Sequence, residues 1–155
     1  MFNHIMVALD SSAYSREALP AAIELARKFG SKVLVFHVSE HDRGGSVVFT
    51  LETPAGATAL VADAVEALRE FGVTAKGQIR DVGAGHVAKA IVEAADENGI
   101  DLIVMGSRGL SDVQGLLLGS VTHKVMQSAT IPVLVARPSK VKASPTNGAV
   151  AHSRA

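Results

Sequence analysis

Residues 101–120 read Asp-Leu-Ile-Val-Met-Gly-Ser-Arg-Gly-Leu-Ser-Asp-Val-Gln-Gly-Leu-Leu-Leu-Gly-Ser. The stretch opens on a short apolar run, passes through Gly106, Gly109 and Gly119, and closes on Ser120. A continuous run of branched apolar residues marks a strand covered on both faces, as in a parallel sheet. The glycines permit tight turns and close backbone approach. Ser120, with Val121 and Val125 following on one face, predicts a short helix over 120–128. The unit is therefore strand, glycine-rich connection, helix.

Outward from it, the same alternation repeats. Apolar runs at 4–9, 32–38 and 131–136 predict further strands. The run 73–79 alternates, with Val73, Ala75, Gly77 and Ile79 on one face, which predicts an edge strand. Pro132 lacks a ladder donor, so the last strand lies at an edge or begins at that proline. Helical periods fill 15–29, 53–71 and 85–98, with stops at Gly30, Gly72 and Gly99. Pro20 should kink the first of these or force it to start late, while Thr53-Pro54 is a good start for the second. Residues 41–56 show no clear period and read as a flexible loop. Strands and helices that alternate in this way imply an α/β fold: one domain, an open parallel five-stranded sheet, and helices on both faces.

Composition narrows the function classes. The chain has 155 residues, 48% of them hydrophobic, and no cysteine. That excludes a disulfide scaffold, a thiolate zinc site and a cysteine nucleophile. The longest apolar runs fall far short of the ~20 residues that span a bilayer, and no secretory signal stands before the first strand, so a soluble cytoplasmic protein is expected. The 15 basic and 15 acidic residues argue against nucleic acid as partner. Arg137, Lys140, Lys142 and Arg154 lie at the C-terminal end without any acid, leaving 11 basic against 15 acidic groups in residues 1–136. The expected organisation is one domain over 1–138 and a disordered basic tail over 139–155.

In open parallel sheets, ligands bind beyond the carboxyl ends of strands where the strand order reverses. Asp10 stands just after the first predicted strand. Its carboxylate can accept from a ribose or an adenine amine, help hold a metal, or simply cap the next helix. Beyond the fourth strand, N–H groups at the start of the helix opened by Ser120 form a natural phosphate cradle. The segment is neither a P-loop nor the dinucleotide glycine fingerprint. Arg108 can reach a phosphate or stand in solvent. The six histidines show no metal-site spacing, His123 is expected on the exposed face of its helix, and no catalytic constellation assembles from local spacing.

Gly106-x2-Gly109-x9-Gly119-Ser120 resembles the nucleotide-binding signature of the universal stress protein family. The flanking Val-Met-Gly-Ser-Arg-Gly-Leu-Ser, Leu-Leu-Gly-Ser-Val and Ile-Pro-Val-Leu-Val are similar too, as is the opening Ile-Met-Val-Ala-Leu-Asp-Ser-Ser. The resemblance spans about residues 3–138. It implies a Rossmann-like sheet of the adenine nucleotide alpha hydrolase type, with strand order 3-2-1-4-5 reversing between strands 1 and 4. It implies that Asp10 and the main chain of Val38 hold the adenosine end. Met105, Gly106 and Gly109 would wrap the ribose and first phosphates, and Gly119, Ser120 and Val121 the outer phosphates. Ser11 departs from the glycine of many relatives and narrows the adenine slot.

The resulting expectation is a cytoplasmic stress-response regulator that binds ATP, alone or with magnesium or manganese, without fast turnover and without catalytic residues. It would form a homodimer through the fifth strand. The alternatives are a slow ATPase or an adenylate-forming enzyme using Asp10-Ser11-Ser12, and an interaction protein that binds no ATP or another adenine nucleotide.

Overall fold

The computed structural model describes residues 1–41, 53–108 and 118–138. The expected tail over 139–155, Gly109, and most of the expected loop over 41–56 lie outside the described residues. Five parallel strands, β1 (His4–Leu9), β2 (Lys32–His41), β3 (Ala75–Gly83), β4 (Leu102–Gly106) and β5 (Val133–Ala136), form one sheet in the order β3-β2-β1-β4-β5. Helices α1 (Ala13–Arg16), α2 (Ala18–Phe29), α3 (Pro54–Glu70), α4 (Val87–Glu97) and α5 (Ser120–Ser128) connect them.

Strand periodicity divides the core in two. Ile5, Val7, Val33, Val35 and Val104 face α2 and α3, whereas Met6, Leu34, Phe36, Ile103 and Met105 face α4 and α5. Central strands β1 and β4 are buried on both faces, which explains their unbroken apolar runs. Full burial of a side chain such as Phe36 or Ile5 stabilises the fold by about 1.5–3 kcal/mol.

The local signals act as their chemistry requires. Thr53 caps α3, its Oγ1 accepting from Gly56 N–H at 3.1 Å, with Pro54 in the first turn. Gly30, Gly72 and Gly99 sit at positive φ where α2, α3 and α4 end. Pro20 is the third residue of α2, where its missing N–H has no partner to lose; the helix starts late, after the separate turn α1.

Some boundaries differ from the sequence reading. Residue 41 belongs to β2 and residues 54–56 to α3, so they are not loop. β3 starts at Ala75 instead of Val73, because the Val73 N–H bonds to Leu68 at the end of α3. It continues to Gly83 because polar pairs support the extension: Arg80 with Glu97, and His41 with Asp81 at 3.1 Å. Among the described residues both edge assignments hold, since β3 pairs with β2 alone and β5 with β4 alone, Pro132 immediately preceding β5.

Gly77 lets α3 lie close to β3. A Cβ there would stand 2.3 Å from Val61 Cγ1 and 3.4 Å from Val65 Cγ2. Valine is stiff at χ1, so relief requires helix movement or an unfavourable rotamer. Gly77→Ala is expected to cost about 1–3 kcal/mol, lowering the melting temperature by roughly 3–10 °C. Thermal unfolding followed by circular dichroism checks this; an unchanged midpoint would mean that α3 is not seated as described.

Candidate functional site

The turn after β1 is built from short polar side chains. Ser12 caps α1, its Oγ accepting from the Ser15 N–H at 3.2 Å. Asp10 therefore does not cap this helix. Its Oδ1 accepts from the N–H and the hydroxyl of Ser12, the former at 2.9 Å. Ser15 Oγ closes the turn, accepting from Asp10 N–H at 3.0 Å and donating to Asp10 C=O at 2.6 Å. Ser12 and Ser15 are buried while Asp10 is half-buried.

One strand away, His37 is buried. Its Nδ1–H donates to the Leu9 carbonyl at 2.8 Å, so the ring braces the last residue of β1. Leu9 pairs with His37 in the sheet register, and Val38 comes next along β2, half-buried and paired with Arg80 of β3.

Across the sheet, β4 ends in buried Met105 and Gly106. Ser107, also buried, ties the next element down: its C=O accepts from Gly119 N–H at 2.8 Å, and its N–H donates to Ala136 C=O at 2.9 Å. Thr122 Oγ1 donates to Gly106 C=O at 2.9 Å, anchoring the first turn of α5 to the end of β4. An α-helix leaves its first N–H groups without intrahelical partners, here those of Ser120, Val121 and Thr122, while His123 N–H makes the first bond, to Gly119 C=O at 2.9 Å. Such a terminus favours anions. Gly119 has φ −69° and ψ 154°, open to any residue. Contrary to the sequence reading, its turn geometry does not need glycine; only close approach can.

The described candidates gather at one end of the molecule. Order β3-β2-β1-β4-β5 reverses between β1 and β4, and Asp10 and Gly106 follow or end those two strands. Val38, Met105, Gly119, Ser120 and Val121 belong to the same carboxyl-end rim. Arg108 is half-buried and engaged. His123 is exposed, as expected. Ser15, His37 and Thr122 escaped sequence reasoning as site-building residues, and Ser12 entered it only within Asp10-Ser11-Ser12, not as the residue that builds the turn. Only Ser12 carried a local signal, as a capping residue ahead of a helix.

Among the described residues, no three of His, Asp or Glu come together to hold a metal, and no helix is long and apolar enough to cross a membrane. An open groove of about 900 Å³ lies between α3 and edge strand β3, lined by Val61, Val65, Glu66, Gly77 and Ile79 among others. It lies away from the strand reversal, and no buried polar side chain lines it. The rim beyond β1 and β4 is the better candidate, because the strand reversal brings a pinned carboxylate and the first N–H groups of α5 to that end of the sheet.

Comparison with known proteins agrees with this placement of the fold. A model of the universal stress protein family matches residues 1–137. Universal stress protein YxiE of Bacillus subtilis (strain 168) is 34% identical over 156 residues, an alignment covering 88% of this chain and all, 100%, of that one. The structure of a universal stress protein in complex with cAMP is 27% identical with a TM-score of 0.65, covering 89% of this chain and 99% of that chain. The universal stress protein from Archaeoglobus fulgidus in complex with dAMP is 25% identical with a TM-score of 0.61, covering 88% of this chain and 98% of its own.

Proposed function

The chain belongs to the universal stress protein family, and from that premise we propose that it binds ATP beyond the ends of β1 and β4 and acts as a nucleotide-dependent stress-response regulator without fast turnover. In this reading Asp10 and the main chain of Val38 hold the adenosine moiety. Met105, Gly106 and Gly109 wrap the ribose and first phosphates, Arg108 reaches a phosphate, and Gly119, Ser120 and Val121 hold the outer phosphates. The observation that carries it is the first turn of α5, whose N–H groups lack intrahelical partners and which Thr122 anchors to Gly106 at the strand reversal. The cAMP and dAMP complexes of relatives support an adenine nucleotide as the class. The preference for a triphosphate follows from the resemblance of residues 106–120 to the family's nucleotide-binding signature. A magnesium or manganese ion would then be carried by the phosphates.

Slow chemistry is part of the proposal. The Ser12 hydroxyl is buried, donates to Asp10 and accepts from Ser15, so it is committed to the turn and not presented as a nucleophile. The regulatory output would be a change of partner affinity on nucleotide binding. The proposed organisation is one domain over 1–138 with a basic tail over 139–155, acting in the cytoplasm as a homodimer through β5. A chain without cysteine suits that reducing compartment.

Calorimetric titration with ATP, ADP, AMP and cAMP tests the reading. One ATP per chain is expected, bound more tightly than AMP, with phosphate release no faster than ~1 per minute against the ~1–10³ s⁻¹ of typical enzymes. No heat with any of the four would sink nucleotide binding. Turnover of several per second would make the protein an enzyme.

A further inference from the structure

Asp10 is held at every polar atom but one. Its N–H and C=O both bond to Ser15 Oγ, at 3.0 and 2.6 Å. Oδ1 accepts twice from Ser12, from the N–H at 2.9 Å and from the hydroxyl. The preceding carbonyl, that of Leu9, is taken by buried His37 at 2.8 Å. Ser12 and Ser15 are 8% and 3% exposed, so these bonds are shielded from competing water. Among the described residues, Oδ2 is the one polar atom of Asp10 without a partner.

We propose that Ser12 is a positioning residue for nucleotide recognition: by pinning Oδ1 it presents Oδ2 as a preset acceptor toward a donor group of the adenosine moiety. The inference rests on the reading that Asp10 contacts the nucleotide, and it goes beyond that reading by assigning the orientation of the carboxylate to a neighbour that itself touches no ligand. An unpinned aspartate rotates about both side-chain torsions and must be ordered on binding. Freezing one such side chain lowers affinity by roughly two- to tenfold. Pinning removes that loss in advance.

The test is a double-mutant cycle read by calorimetric titration with ATP, on the full chain, with melting curves for every variant. Ser12→Ala is expected to weaken binding roughly fivefold, and Ser12→Thr, which keeps the hydroxyl, to restore it. In an Asp10→Ala background, Ser12→Ala should change the Kd by less than about twofold, because no carboxylate remains to be pinned. Ser12→Gly, which removes the hydroxyl at little cost to a helix cap, replaces Ser12→Ala if the latter is poorly folded. An unchanged affinity in Ser12→Ala overturns the inference. So does equal weakening with and without Asp10, which would mean that Ser12 acts through the fold alone. Wild-type affinity in Asp10→Ala overturns it by removing Asp10 from the site. Absence of ATP binding by the wild-type chain is a different result: it overturns the functional reading, and this inference falls with it.

Discussion

Gly119→Val is expected to weaken ATP binding by at least about 100-fold while leaving the melting temperature within a few degrees of wild type. The backbone at Gly119 has φ −69° and ψ 154°, the extended region that valine prefers, so the substitution introduces no torsional strain. Its N–H still donates to Ser107 and its C=O still accepts from His123, so the start of α5 keeps its anchors. What changes is the space beside the N–H groups of Ser120 and Val121, which lack intrahelical partners. A branched side chain at the capping position holds a phosphate away from those donors. Hydrogen bonds to a charged group are worth about 1.5–3 kcal/mol each, and losing two accounts for the factor of ~100. Calorimetry and thermal unfolding on the same preparation decide it. Wild-type affinity in a folded variant would remove Gly119 from the phosphate cradle.

The sheet was legible in the sequence because its determinants are local. The unbroken runs at β1 and β4, the alternation at β3, and Pro132 ahead of β5 each state a burial environment, and burial on two faces, on one face or at an edge is what sheet position means. Thr53, Gly30, Gly72 and Gly99 mark helix ends by conformation or capping within a few residues. The lengths of β2 and β3 were less legible. Their last residues are polar, and they stay in the sheet through partners distant in sequence, as in His41 with Asp81 and Arg80 with Glu97.

The candidate site divides in the same way. Ser120 as the start of a helix, and Asp10 at the end of a strand, follow from spacing. The bonds that build the site around them do not. His37 braces Leu9 only because β1 and β2 pair in one register, and a slip of one residue would turn its ring to the other face of the sheet. Thr122 reaches Gly106 across sixteen positions of chain, a contact that exists only once α5 packs against β4. Gly119 shows the opposite error: a glycine read as a torsional requirement occupies ordinary extended backbone. Any need for glycine there is about the approach of a ligand.

Val135→Lys is expected to convert a homodimer at micromolar concentration into a monomer. Among the described residues both edges of the sheet offer unpaired backbone, but they are protected unequally. β3 carries Lys76 and Arg80, and the guanidinium of Arg69 already donates to the Ala75 C=O at 3.0 Å. Val133–Ala136 of β5 has no charged residue, and all four of its residues are half-buried, leaving apolar surface uncovered in the single chain. An unprotected apolar edge is most simply closed by two-fold pairing with a second copy. Leu134 and Ala136 pack toward the α2 face and Val133 toward the α4 face, whereas among the described residues Val135 belongs to neither cluster of core contacts. A lysine at 135 therefore tests the interface while sparing the core contacts of the described residues, whereas Leu134→Lys, which should also weaken the dimer, disturbs both. Across a two-fold contact, either lysine is brought near its own symmetry mate, and like charges in a desolvated interface cost several kcal/mol. Light scattering at a series of concentrations should report twice the chain mass for wild type and for a chain ending at residue 139, and the single-chain mass for Val135→Lys. A wild-type monomer would remove the dimer. A dimer undisturbed by both lysines would move the interface away from β5, with the β3 edge as the next surface to test.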